Sequence, residues 1–216
     1  MALVGVSALW LLALVAFVRG DSLENSFVVR AGTRFTSRSY SAMLSVPNGE
    51  RFGLWTWPEM CPENFFAVGF SLRVEPNQYG GDDTALNGIR LFCSQDGDRS
   101  FLYTVESHTG HFGDWTDPQW CPSGVLTSFQ LRVEPHQGFF GDDTAANNIK
   151  FRCSSNPTLE GRGMDWGEYG YWSTECTNGG ISRTNSEHHD PECSLGDQTV
   201  NIAAACSGPA DLHHSG

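Results

Sequence analysis

Two acidic pairs, Asp82-Asp83 and Asp142-Asp143, occupy the same place in the near-identical stretches GDDTALN (81–87) and GDDTAAN (141–147), and Asp197 in GDQT (196–199) is a partial third. An Asp after glycine and before threonine commonly accepts backbone N–H bonds and fixes a turn. The same carboxylates, with Glu75 and Glu134 at matched positions ahead of proline, also have the chemistry of glycoside transfer, which needs one carboxylic acid and one ionised carboxylate on opposite sides of a bond. Calcium is disfavoured, because Gly-Asp-Asp-Thr is too sparse an oxygen ladder for a shell of roughly six to eight ligands.

Aromatic residues supply the second chemistry. Trp55, Trp57, Trp115, Trp120, Trp166 and Trp172 are six of the seven tryptophans. An indole stacks on the apolar face of a sugar and keeps an N–H for a hydroxyl. A quartet aromatic-Gly-any-Trp recurs as Phe52-Gly53-Leu54-Trp55, Phe112-Gly113-Asp114-Trp115 and Tyr169-Gly170-Tyr171-Trp172. The recurrence assigns Trp55, Trp115 and Trp172 to one buried ring per unit. Trp57 and Trp120 are unmatched and are the candidates for exposed, ligand-facing rings, with Asp82 and Asp142 as their polar companions.

Other catalytic routes fall away. His108, His111, His136, His188, His189, His213 and His214 form no H-E-x-x-H, and no serine stands in G-x-S-x-G, which removes the zinc- and serine-hydrolase patterns. The pairs His188-His189 and His213-His214 read as solvated surface. No metal and no cofactor is expected.

These residues sit on a repeat. Residues 53–93 and 113–153 are copies at an offset of sixty, and a looser third copy ends at Cys206. Such self-similarity marks a fold assembled from one supersecondary unit. Six of the seven cysteines fall into the pairs 61/93, 121/153 and 176/206, at intervals of 32, 32 and 30. Equivalent positions should pair equivalently, giving Cys61–Cys93, Cys121–Cys153 and, with Cys176–Cys193 as the alternative, Cys176–Cys206. Each loop would stabilise the fold by about 3–4 kcal/mol on the chain-entropy model. Cys193 stays unassigned. No C-x-x-C spacing supports zinc.

Residues 1–20 form an apolar run ending at Arg19-Gly20, the shape of a secretory signal peptide. Its removal leaves 196 residues with 12 basic and 25 acidic side chains, a net charge of −13 against −12 for the whole chain. Such a surface repels nucleic acid and suits glycans, glycoproteins or basic secreted proteins. After cleavage no segment is expected in the membrane, and the protein is expected outside the cell. Segments 21–37 and 207–216 read as flexible. Between them lies one domain, 38–206, of three repeats at about 38–95, 96–155 and 156–206.

Within each unit apolar residues alternate. Phe66, Val68, Phe70, Leu72 and Val74 point one way, as do Val125, Thr127, Phe129, Leu131 and Val133, the signature of a half-buried strand. Ile89–Phe92, 149–152, 42–46 and 101–106 also read as extended. No window has a 3.6-residue period, and 24 glycines and 10 prolines punctuate the chain, so helix is nearly absent. One four-stranded sheet cannot bury its apolar face, whereas three about a pseudo-threefold axis bury all three. The expected fold is all-β, a three-sheet prism.

WTWPEMCPENFFAVGFSLRVEP (55–76), GDDTALNGIRLFC (81–93), SFQLRVEP (128–135) and GDDTAANNIKFRC (141–153) resemble the vitelline membrane outer layer protein I family over about residues 40–206. The resemblance implies a β-prism of the first type with three four-stranded Greek-key sheets, secretion, and a place in an extracellular coat. It also implies an activity credited to the family, the lengthening of N-acetylchito-oligosaccharides. The third unit departs from the pattern. ISRTNSEHH (181–189) replaces the apolar strand, Gln198 replaces an Asp, and Ile202–Ala205 is a run of small apolar residues.

Overall fold

The computed structural model describes residues 28–31, 39–49, 54–78, 84–95, 97–135, 146–188 and 199–208. The segment 1–20, both Asp pairs, Asp197, Cys193, His136, His189 and the His213-His214 pair lie outside them. The strands are β1 (Val28–Ala31), β2 (Ala42–Leu44), β3 (Leu54–Trp55), β4 (Glu59–Met60), β5 (Phe66–Val74), β6 (Leu86–Ser94), β7 (Phe101–Glu106), β8 (Asp114–Trp115), β9 (Gln119–Trp120), β10 (Leu126–Val133), β11 (Ala146–Cys153), β12 (Thr158–Glu160), β13 (Glu168–Tyr169), β14 (Gly180–His188) and β15 (Thr199–Ser207). No helix occurs among the described residues, and none is long and apolar enough to cross a membrane.

Three sheets result: β1-β7-β6-β5-β8 with β9 also on β5, β12-β11-β10-β13, and β2-β15-β14-β3 with β4 also on β14. Their inner faces share one core, and the fold is a β-prism. All pairings are antiparallel except β1 with β7. That pairing places a strand inside the segment 21–37, which reads as flexible in sequence.

The sheets do not coincide with the sequence repeats. Each is centred on a long hairpin, β5–β6, β10–β11 or β14–β15, whose second strand pairs with the short strand that follows it, β7 or β12. The first strand of each hairpin pairs with the opening strands of the next unit, β8 and β9, or β13. For the third sheet both roles fall to the start of the domain: β2 adds to β15, and β3 and β4 add to β14. The ring therefore closes by joining β2, β3 and β4 to β14 and β15. Strands β7 and β12, which the repeat boundaries assign to the following unit, belong to the sheet of the preceding one.

A β-bulge at the same place in each hairpin corrects the alternation. The register shifts between Ala67 and Gly69, between Leu126 and Ser128, and between Ile181 and Arg183. The extra residue swaps faces, so Ala67 and Leu126 enter the core. Val68 turns outward onto Phe92 and Leu102, with Val125 packed on the same cluster. The carbonyl displaced at each bulge is not orphaned: Val68, Thr127 and Ser182 accept the N–H of Cys121 (2.9 Å), Cys176 (2.9 Å) and Cys61 (2.7 Å). Beyond the bulge the alternation holds, and Phe70, Leu72, Phe129 and Leu131 are buried.

Those three cysteines form the disulfides Cys61–Cys93, Cys121–Cys153 and Cys176–Cys206. In each, one half-cystine is hydrogen-bonded to one sheet and the other lies in the last two residues of a long strand of its neighbour. The bonds therefore staple adjacent sheets and together encircle the prism.

The third sheet forms despite its sequence, with β14 and β15 nine residues each. Cross-strand register matches Phe70↔Leu91 and Phe129↔Phe151 with Thr184↔Ala204, and Leu72↔Ile89 and Leu131↔Ile149 with Ser186↔Ile202. Thr184 and Ser186 are nonetheless buried. The rings Phe70 and Phe151, 4.7 Å apart, and Phe129 and Phe151, 6.1 Å apart, provide the bulk at the axis.

Candidate functional site

The prism has three edges where sheets meet, and backbone hydrogen bonds set their equivalence. The N–H groups of Thr56, Thr116 and Gly170 donate to the carbonyls of Ser186 (3.0 Å), Leu72 (2.8 Å) and Leu131 (3.0 Å). The residues that follow, Trp57, Asp117 and Tyr171, thus hold one position in three copies. On the facing sheets the registers Leu91↔Val105, Phe151↔Leu159 and Ala204↔Leu44 bring His108, Arg162 and Pro47 to the matching place three residues further on.

The edge between the third and first sheets is an open cleft of about 470 Å³, with Thr56–Glu59 on one wall and Glu106–Thr109 on the other. Trp57 is 82% exposed, and Pro58 after it holds the chain extended. Glu59 Oε2 accepts the Glu106 N–H at 2.9 Å and ties the walls. Glu106 Oε1 accepts from Arg90 Nε at 2.6 Å, and the Arg90 guanidinium lies 3.9 Å over the Trp115 ring. Ser107 Oγ accepts the Ile89 N–H at 3.0 Å, while His108 is exposed beside it. The cleft presents a flat apolar ring, two carboxylates, an imidazole and hydroxyls, a set suited to a ligand with one apolar face and many O–H groups.

The other two edges differ. Asp117 and Arg162 form an ion pair of 2.8 Å that spans the second. At the third, Tyr171 is 80% exposed, and Asn48 Nδ2 donates to the Leu131 carbonyl at 2.9 Å. Asn48 packs so closely on Gly170 that a Cβ there would fall 2.3 Å from its Cγ.

The residues singled out from sequence distribute unevenly. Trp57 lies in the cleft, exposed as its lack of a repeat partner implied. Trp120 does not: it is half-buried 4.8 Å from Phe92, lies over Gly69, where a Cβ would clash with the indole, and carries the Arg99 guanidinium at 5.3 Å. The expectation of a buried ring at Trp55, Trp115 and Trp172 also fails. Trp55 is 47% exposed, and register matches Trp55 and Trp115 with Tyr169 rather than Trp172. The true third quartet is Trp166-Gly167-Glu168-Tyr169, whose Gly167 shares a positive φ with Gly113 (73° and 80°), the left-handed conformation that favours glycine. Burial, followed by the hydrogen bond to Glu160 (3.0 Å), raises the Tyr169 hydroxyl pKa.

Glu75 is not near the cleft. Its Oε2 accepts both the N–H (3.1 Å) and the hydroxyl (2.5 Å) of Thr84, whose Oγ1 accepts from Asn87 Nδ2 at 2.6 Å. This carboxylate holds Thr84 just ahead of β6. Glu134 follows β10, half-buried, at the matching place. Glu59, Glu106 and His108 carry no signal in the sequence, since the Glu106–Glu59 bond spans 47 residues and crosses a repeat border. The unmatched Trp57 is the one residue that points to them.

Residues 42–210 match the family model described as vitelline membrane outer layer protein I. The vitelline membrane outer layer protein 1 homologs of Mus musculus and Homo sapiens are each 51% identical over 142 residues, 65% of this chain and 70% of theirs. Among solved structures, a mannose-binding lectin from Champedak is 13% identical with a TM-score of 0.48, over 79% of this chain and 99% of that one. The match over residues 42–210 places the chain in the vitelline membrane outer layer protein I family, to which it belongs.

Proposed function

We propose that the protein is a secreted component of an extracellular coat that holds carbohydrate, free or on a glycoprotein, in the cleft between its third and first sheets. The observation that carries the reading is Trp57. An indole kept 82% exposed forgoes about 25 cal/mol for each Å² of apolar surface left in water, and here it shares a cleft with Glu59 on its own wall and with Glu106 and His108 on the other. Stacking on the C–H face of a pyranose recovers that term while the carboxylate oxygens accept hydrogen bonds from the sugar hydroxyls. Three disulfides suit an oxidising compartment, and on this reading the apolar start of the chain is a signal removed before Asp21.

The test is a glycan array of N-acetylglucosamine oligomers and N-glycans probed with mature wild-type protein and Trp57→Ala. Retention by the wild type and at least tenfold weaker retention by the variant, with thermal melting unchanged, are expected. Equal retention by both would refute the cleft.

A glycosyl-transferring enzyme is the second reading, and what supports it is the pair of carboxylates, Glu59 and Glu106, in one cleft. Binding is favoured because both carboxylates already serve the walls, Glu59 as acceptor from a backbone N–H and Glu106 as partner of Arg90. Incubation with N-acetylchito-oligosaccharides is expected to leave chain lengths unchanged. New lengths that vanish in Glu59→Gln would establish the enzyme.

A further inference from the structure

The prism carries a second exposed ring at the position equivalent to Trp57. Tyr171 is 80% exposed, and the Gly170 N–H bond to Leu131 sets it on its edge as the Thr56 N–H bond to Ser186 sets Trp57. Its backing is rigid. Trp172 beside it lies under the Arg152 guanidinium at 4.6 Å, and Asn48 is locked onto Gly170. At the third equivalent position the ring is replaced by Asp117, paired to Arg162 at 2.8 Å.

From this pattern we infer that one chain is bivalent for carbohydrate, with Trp57 and Tyr171 as stacking platforms on two different edges and the Asp117–Arg162 edge closed. The inference rests on the carbohydrate reading of the Trp57 cleft and extends it. The two edges face different directions about the prism axis, so one rigid molecule bridges two glycan chains without dimerising. Linking two weak sites in this way is how a coat component gains avidity with no new contact. The Tyr171 edge, where Pro47 stands in place of His108 and, by the same register, Ser45 and Ser173 stand in place of Glu106 and Glu59, is the weaker of the two.

Stoichiometry tests it. Native mass spectrometry with N-acetylchitotetraose and, separately, a high-mannose N-glycan should give up to two sugars per wild-type chain, one for Trp57→Ala, one for Tyr171→Ala and none for the double variant. Tyr171→Phe, which keeps the flat ring, should restore the second. Wild-type protein should also aggregate albumin conjugated with many copies of the bound sugar, and neither single variant should. A single bound sugar, lost in Trp57→Ala and indifferent to Tyr171→Ala, would overturn bivalency and leave the cleft standing. Failure of the wild type to bind either sugar would overturn both.

Discussion

The first two sheets and the third solve the same packing problem with different side chains. Sheets one and two present Phe70, Leu72, Leu91, Phe129, Leu131 and Phe151 to the axis, whereas the third presents Thr184, Ser186 and Ala204 at the same register positions. The architecture tolerates this because the prism needs a filled axis, not three equal contributions to it. Backbone pairing, a disulfide at the matched place and the closure by β2, β3 and β4 keep the third sheet in position. The sheet that contributes least apolar bulk is also the one assembled from both ends of the domain, and its junction with the first sheet holds the open cleft.

The comparison predicts unequal responses to mutation. The largest effect is expected for Phe151→Ala, which removes the ring in contact with both Phe70 and Phe129 and should cost about 3–5 kcal/mol in guanidinium unfolding. Thr184→Ala should cost about 1 kcal/mol or less, and a cost equal to that of Phe151→Ala would end the distinction. Removing one disulfide should cost about 3–4 kcal/mol. In Cys176→Ser/Cys206→Ser the loss should show first as faster amide exchange in β14 and β15, with β10 and β11 still protected, because the third sheet has less apolar burial to hold it. In the intact protein β14–β15 amides should already exchange about tenfold faster than β10–β11 amides, by mass spectrometry. Asp117→Ala should change stability by less than about 1 kcal/mol, since both partners are largely exposed and the pair is screened. Smallest of all, Trp57→Ala should lie within about 0.5 kcal/mol of wild type.

The strand pattern, the low helix content and the pairing of cysteines at matched intervals were legible in the sequence, because period-two burial and repeat equivalence are local or near-local properties. Which strand joins which sheet was not. Asp114–Trp115 pairs with β5 rather than with its own unit because the hairpin edge needing a partner belongs to the preceding sheet, a fact of tertiary geometry. The bulges at Val68, Thr127 and Ser182 were hidden for a related reason: both Ala67 and Val68 are apolar, so hydropathy does not say which faces in. The third aromatic quartet was misplaced by two competing glycines, Gly167 and Gly170, and only the positive φ and register of Gly167 separate them. At the site, the absence of a repeat partner for Trp57 was informative, whereas the same absence misled for Trp120, whose ring covers Phe92. Glu59, Glu106 and His108 meet only when the start of the domain closes the third sheet.

On the reading proposed above, the edge closed by β3 and β4 binds carbohydrate through Trp57. The most direct measurement follows the tryptophan indole N–H resonances by NMR while N-acetylchitotetraose and then a high-mannose N-glycan are titrated into the mature protein. The Trp57 resonance, assigned through its absence in Trp57→Ala, is predicted to shift with saturation while that of Trp115, beneath Arg90, moves little. A Trp57 resonance that stays fixed while the protein binds either sugar would show that carbohydrate is held elsewhere.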